Sequence, residues 1–247
     1  MTDLVLAWLT DPAHWTGQDG IIQHTLEHLG YSAISLLIAA AVAIPAGLVI
    51  GHTGRGRFLV VNLAGAARAM PSLGLLFIMV LVLGPRLSGD AAFLWPNLIV
   101  LIVLAIPPLL SGAYAGVEGV DPAARDAARG MGMSGSQVLL RVEVPCALPL
   151  LFSGLRSATL QVIATATIAA VAGLQGLGRF LIDGLAVHDF PQMVSGAVLI
   201  AVLALLADLV LALVQRYAVS PGVSGRRLRE RVRRRGRDTL AEGLQVR

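Results

Sequence analysis

The feature that most constrains this chain is the length of its apolar runs. Residues 193–215, MVSGAVLIAVLALLADLVLALVQ, carry a single charge, Asp208. A run of this kind exceeds the roughly 20 apolar residues needed to cross about 30 Å of hydrocarbon. Four more segments read as spans: about 31–51, 58–84 with an interruption at RAMPSLG, 95–114, and 147–172. Charged residues make up only 14% of the chain, against about 25% in soluble domains, and mean hydropathy is +0.77. Arg or Asp at the bilayer centre costs about 2.5–3.5 kcal/mol on insertion scales, so sparing use of charge in the runs has a physical cause. The expected fold is an all-α polytopic membrane protein with about five transmembrane helices.

The loops orient those helices. All 19 basic residues are arginines. Arg55 and Arg57 lie after the first span, and Arg125, Arg129 and Arg141 flank or occupy the 115–146 loop. Ten more follow from Arg216 onward. With five spans these three regions share one side, and the positive-inside rule makes it the cytoplasm. The expectation is therefore N-out, C-in. Residues 1–28 read as an extracytoplasmic interfacial segment rather than a cleaved leader, with Trp8 and Trp15 at headgroup level. Residues 29–216 read as the transmembrane domain, and 217–247 as an Arg-rich, disordered cytoplasmic tail. A juxtamembrane arginine cluster is read as a topology determinant and a contact for anionic lipid, not for nucleic acid.

His14, His24 and His28 have no closed ligand spacing and are expected to be wet interfacial side chains, so no metal is assigned. The single cysteine, Cys146, excludes an intrachain disulfide and reads as an apolar filler.

The 115–146 loop is too long for a simple helix connection. Asp121 is placed as an N-cap with Pro122 at the first helical position. The alanines that follow favour helix, and Gly130 and Gly132 end it. A second short helix, SQVLLRVEV, is expected to stop at Pro145. Gly130, Gly132 and Gly135 also spell G-x-G-x-x-G, but a dinucleotide site needs a strand before the first glycine and a helix opening at the third. Here the glycines follow a helix, so no nucleotide cofactor is assigned.

The same loop resembles the EAA signature of bacterial ABC importer permeases. Asp126, Ala127 and Ala128 stand for E-A-A, Gly132 for the glycine, and Val142 and Pro145 close the I-x-L-P end after nine residues. Similarity extends over about 25–216, through ARAMPSLGLL, VEVPCALPLL and TATIAAVAGLQGLGRFL. Those phrases are most similar to the osmoprotectant branch: glycine betaine, choline, carnitine or proline. The resemblance implies the type I permease fold and a bacterial inner-membrane, multi-pass location. It also implies partners: an ABC ATP-binding subunit docking on the loop, an extracytoplasmic solute-binding protein, and a second permease copy or homologue. ATP hydrolysis would then belong to the partner, because this chain has no G-x-x-x-x-G-K-[ST] phosphate loop. A permease for another solute, such as methionine, and a non-transporting membrane anchor stay open as alternatives.

Polar residues inside the runs mark the candidate path. Arg68 precedes the break at Met70-Pro71-Ser72, whose proline frees a backbone carbonyl. Thr159, Gln161, Thr165 and Thr167 line up along the fourth span, although a threonine hydroxyl often bonds its own helix. Asp208 is expected to pair with Arg156 or Arg68.

Overall fold

The structure, a computed structural model, describes residues 2–58, 60, 62, 65 and 69–220. Every regular element among the described residues is helical: α1 (Thr2–Thr10), α2 (Ile21–Thr53), α3 (Ser72–Leu83), α4 (Ala91–Glu118), α5 (Pro122–Gly130), α6 (Gly135–Ala172), α7 (Gly178–Ala186) and α8 (Phe190–Ala218). Of these, α2, α4, α6 and α8 are long and apolar enough to cross a membrane. The expected second span is represented by the shorter apolar helix α3. It begins where expected, because Pro71 holds an extended backbone (φ −71°, ψ 105°) and breaks the chain ahead of Ser72. Arg68 lies outside the described residues.

The first span starts about ten residues earlier than hydropathy places it. α2 has 33 residues, about 50 Å at 1.5 Å per residue, so it outreaches the hydrocarbon. Its buried positions are Ile21, His24, His28, Ser32, Ser35, Ala39, Ala43 and Gly47. They recur every three or four residues, which is one continuous helical stripe. That stripe corrects the reading of two histidines. His24 and His28 are buried, at 4% and 0% exposure, because they belong to the packing face of α2. Composition alone ends the span at its first polar residues, whereas the helical period continues through them. His28 sets Nε2 3.2 Å from the Ile163 carbonyl of α6, and His24 Nδ1 is 3.2 Å from Glu27 Oε2.

The fourth span also differs. The short helix expected to stop at Pro145 instead continues into the membrane as one rod, α6. A single wide π-turn at Leu139–Glu143 precedes a regular helix from Val144. Pro145 thus occupies the first turn of that regular helix, where its missing N–H costs least.

α4 is the central helix, packed on α2 along one side and on α6 along the other. Leu101, Leu104, Leu109, Ala158, Val162 and Ala166 fill the core between them. Small residues set the spacing, as is usual where lipid supplies no hydrophobic drive. A Cβ on Gly154 would fall 2.6 Å from the Pro108 carbonyl, and one on Gly47 would fall 2.6 Å from Ala113 Cβ. α8 is peripheral and buries only Ser195, Gly196 and Leu203.

Candidate functional site

The loop between α4 and α6 is built as a stiff unit. Asp121 accepts a hydrogen bond from the Ala123 N–H, and Pro122 occupies the first turn, so α5 starts as expected. α5 ends at Gly130, and Gly132 takes φ +84°, a left-handed conformation that costs other residues roughly 1–2 kcal/mol. The next helix opens on a capping box in which the Ser134 N–H donates to Gln137 Oε1 at 2.8 Å.

What the loop shows to solvent is narrower than the motif suggests. Asp126 is 75% exposed and, among the described residues, pairs with Arg129 at 3.7 Å, a surface pair worth little. Ala127 is exposed, but Ala128 is buried within the chain's own fold. Ala128 therefore holds α5 against its own chain and is not free for a partner groove. Met131 and Leu140 are well exposed, an apolar addition that the motif did not single out. Val142 is half-buried and Pro145 exposed.

Beneath this surface lies a group missed in the sequence. Glu143 is 1% exposed, with Oε1 2.7 Å from Arg125 Nε and Oε2 2.6 Å from His52 Nδ1. Arg125 also donates to the Val117 carbonyl at the end of α4. A buried carboxylate needs such partners. The sequence signal was a lone acid in an apolar stretch, LLRVEVPC, whose partners are distant in the chain.

Toward the membrane interior, a half-open cavity of about 420 Å³ lies between α4 and α6. Its polar groups are Ser111 from α4 and Ser153, Ser157 and Gln161 from α6, beside the backbones of Gly112 and Gly154. Among the described residues no charged or aromatic side chain lines it. Of the path residues read from sequence that the structure describes, Gln161 alone lines this cavity. Thr159 and Thr167 donate to the Leu155 and Ile163 carbonyls of their own helix, at 2.9 and 3.0 Å. Thr165 is buried and faces Gln161 Nε2 at 3.4 Å. Pro71 and Ser72 lie apart from it, at the head of α3. The serines were missed because a single hydroxyl in an apolar run is an ordinary tenant of a helix.

Asp208 pairs with Arg156, one of the two partners expected for it. Arg156 Nε and Nη2 each donate to a carboxylate oxygen at 2.7 Å, a bidentate fork joining α6 to α8. At the other end of the bundle, a second cavity of about 300 Å³ is lined by Trp8, His14, Asp19, His24, Phe180 and Asp183 among others. Trp8 stacks on His14 at 4.3 Å and meets Phe180 edge-on, which fastens α1 over α7.

Residues 43–223 match the family described as binding-protein-dependent transport system inner membrane component. The chain belongs to this family. It is accordingly a multi-pass inner-membrane subunit of a binding-protein-dependent transport system. Among similar proteins of Bacillus subtilis, the glycine betaine/carnitine/choline transport system permease protein OpuCB is 30% identical over 205 residues, covering 83% of this chain and 91% of that one. Two choline transport system permease proteins of the same organism also align. OpuBB is 29% identical over 85% of this chain and 93% of its own length, and OpuBD is 32% identical over 78% and 83%. A solved inward-facing structure of the MetNI methionine ABC transporter superposes with a TM-score of 0.71 at 19% identity, over 81% of this chain and 96% of that chain. At that identity it shows the shared fold.

Proposed function

We propose that this chain is the permease subunit of an ATP-driven importer for a compatible solute, most simply a quaternary ammonium compound such as glycine betaine, choline or carnitine. The observation that carries the transport mechanism is the α5 loop: a capped, anchored helix whose exposed face joins Asp126, Ala127 and Met131. A short rigid helix with small and acidic residues outward suits the groove of an ATP-binding subunit. Asp126 would pair with a basic group there, and Gly132 would supply the fixed turn. Val142 and Pro145 would set the junction with α6. The loop then lies in the cytoplasm, with the N-terminus and the α7 region outside, facing a solute-binding protein. The arginine tail, described only through Ser220, would contact anionic lipid.

The substrate reading rests on the related permeases, since the described residues of the cavity, with hydroxyls and an amide, include no cation-selecting aromatic cage. Selection would fall mainly to the binding protein, and the α4–α6 cavity would pass a solute already chosen. OpuBB and OpuBD both carry the name of one choline system, which favours a homologous chain as the second permease. ATP and solute would each stabilise one of two access states.

Uptake of labelled glycine betaine, choline, carnitine and proline, with and without the gene at low and high osmolarity, tests the substrate. Loss of uptake for at least one is expected, and unchanged uptake of all four would remove the osmoprotectant reading. Co-purification of the ATP-binding subunit with Asp126→Arg and Gly132→Asp tests the docking. Retention by both variants, with transport intact, would show that the loop is not the docking site.

A further inference from the structure

We infer that Glu143 is a positioning residue that makes the docking loop and the cavity-bearing helix move as one body. The inference rests on the proposed docking of the loop. Each oxygen of this carboxylate is assigned to a different element: Oε1 to Arg125 of α5 at 2.7 Å, and Oε2 to His52 of α2 at 2.6 Å. Glu143 itself belongs to α6, so three elements meet on one buried group. His52 lies against the start of that helix too, since a Cβ on Gly135 would stand 3.5 Å from its Nε2. Removing Arg125 would take away the permanent countercharge of the buried carboxylate, and removing His52 would leave one of its oxygens without a partner, which makes the contact hard to slip.

The backbone supports the same reading. Glu143 closes the π-turn Leu139–Glu143, a widened turn of a kind that gathers at functional sites. Above it the helix continues through Ser153, Ser157 and Gln161, the polar wall of the cavity. Ten residues separate Glu143 from Ser153, about 15 Å along continuous helix. A displacement of α5 by a docked partner therefore reaches the cavity wall through one ion pair and one helix. The His52 contact carries the same displacement to the end of α2.

The test uses the assembled transporter, permease with its ATP-binding subunit, in lipid nanodiscs. A Ser153→Cys reporter in a Cys146→Ala background is labelled with a small polar maleimide, with and without Mg-ATP and vanadate. Trapped nucleotide should change the labelling rate about fivefold, within the range that single network residues modulate, and Glu143→Gln or His52→Ala should each cut that response below about twofold. Co-purified ATP-binding subunit is quantified for every variant. Arg125→Met/Glu143→Leu removes both charges together, so it should recover assembly lost in Glu143→Gln while still lacking the response. A purely structural role predicts the opposite, recovery of assembly and response together. A full nucleotide response in assembled Glu143→Gln or His52→Ala overturns the inference, and His52→Ala decides it if Glu143→Gln fails to assemble. No response in the reporter parent, by contrast, overturns the docking reading beneath it.

Discussion

Replacing Gly154 by alanine puts a close crossing of α4 and α6 under direct strain. The added methyl would sit 2.6 Å from the Pro108 carbonyl oxygen and 3.0 Å from Gly112 Cα, where ordinary contact begins at 3.4 Å. Both obstacles are backbone, so no side chain can rotate away, and α4 and α6 must part by several tenths of an ångström. Overpacking of this kind costs about 1–3 kcal/mol. At about 2–4 °C per kcal/mol for a chain of this size, the melting temperature should fall by roughly 2–12 °C. Gly30→Ala is the matched control, since nothing lies within 4 Å of its new Cβ, and better helix propensity should leave it level or stabilised by about 0.5–1 kcal/mol. The chain supplies its own probe. Cys146 is the single cysteine and is half-buried, so a thiol-reactive dye reports unfolding of detergent-solubilised protein on heating. Gly112→Ala strains the same crossing, with its Cβ 2.8 Å from the Leu150 carbonyl. Once the helices have parted for one methyl the second should cost less, and the double variant should be less destabilised than the sum. A Gly154→Ala melt within about 1 °C of the parent, matching Gly30→Ala, would refute the close crossing.

Three further outcomes follow from the same geometry. Asp208→Asn breaks the bidentate fork on Arg156 and should lower the melting temperature in the thiol assay, whereas Arg156→Met/Asp208→Leu should recover most of it; equal losses in both would show that α8 is not held by this pair. Gln161→Leu removes the amide that lines the α4–α6 cavity and should reduce solute uptake by about tenfold, the worth of one hydrogen bond. Thr159→Val and Thr167→Val should change uptake by less than about twofold, because their hydroxyls bond their own helix; the reverse ranking would move the path off the cavity. Asp121→Ala deletes the N-cap of α5, worth about 1 kcal/mol, and should raise hydrogen exchange at Ala123 and Ala124 without affecting exchange in α4.

The spans were legible because hydrocarbon imposes a length and a composition on any segment that crosses it. The α5 loop was legible because capping chemistry is local: Asp121, Pro122 and the glycines act within a few residues of themselves. Glu143 was not legible. Its partners lie at Arg125 and His52, and no pattern within LLRVEVPC names them. The serines of the cavity were equally silent, since a hydroxyl in a helix reads the same whether it bonds its own backbone or faces an opening. His24 and His28 misled for a related reason. Side-chain polarity argues for water, while their period along α2 argues for the packing face, and burial followed the period.

By itself, then, the sequence determined that the chain crosses a membrane as helices, where the loop carrying α5 begins and turns, and which family it resembles. Each of these depends on forces that act within one segment or on its composition. Tertiary structure alone decided that Ala128 faces inward, that Pro145 continues a helix instead of ending it, that Arg156 holds Asp208, and that Glu143 joins three elements. Those outcomes depend on which surfaces meet across the bundle, as in the contacts of Glu143 with His52 and of Arg156 with Asp208, residues far apart in the chain.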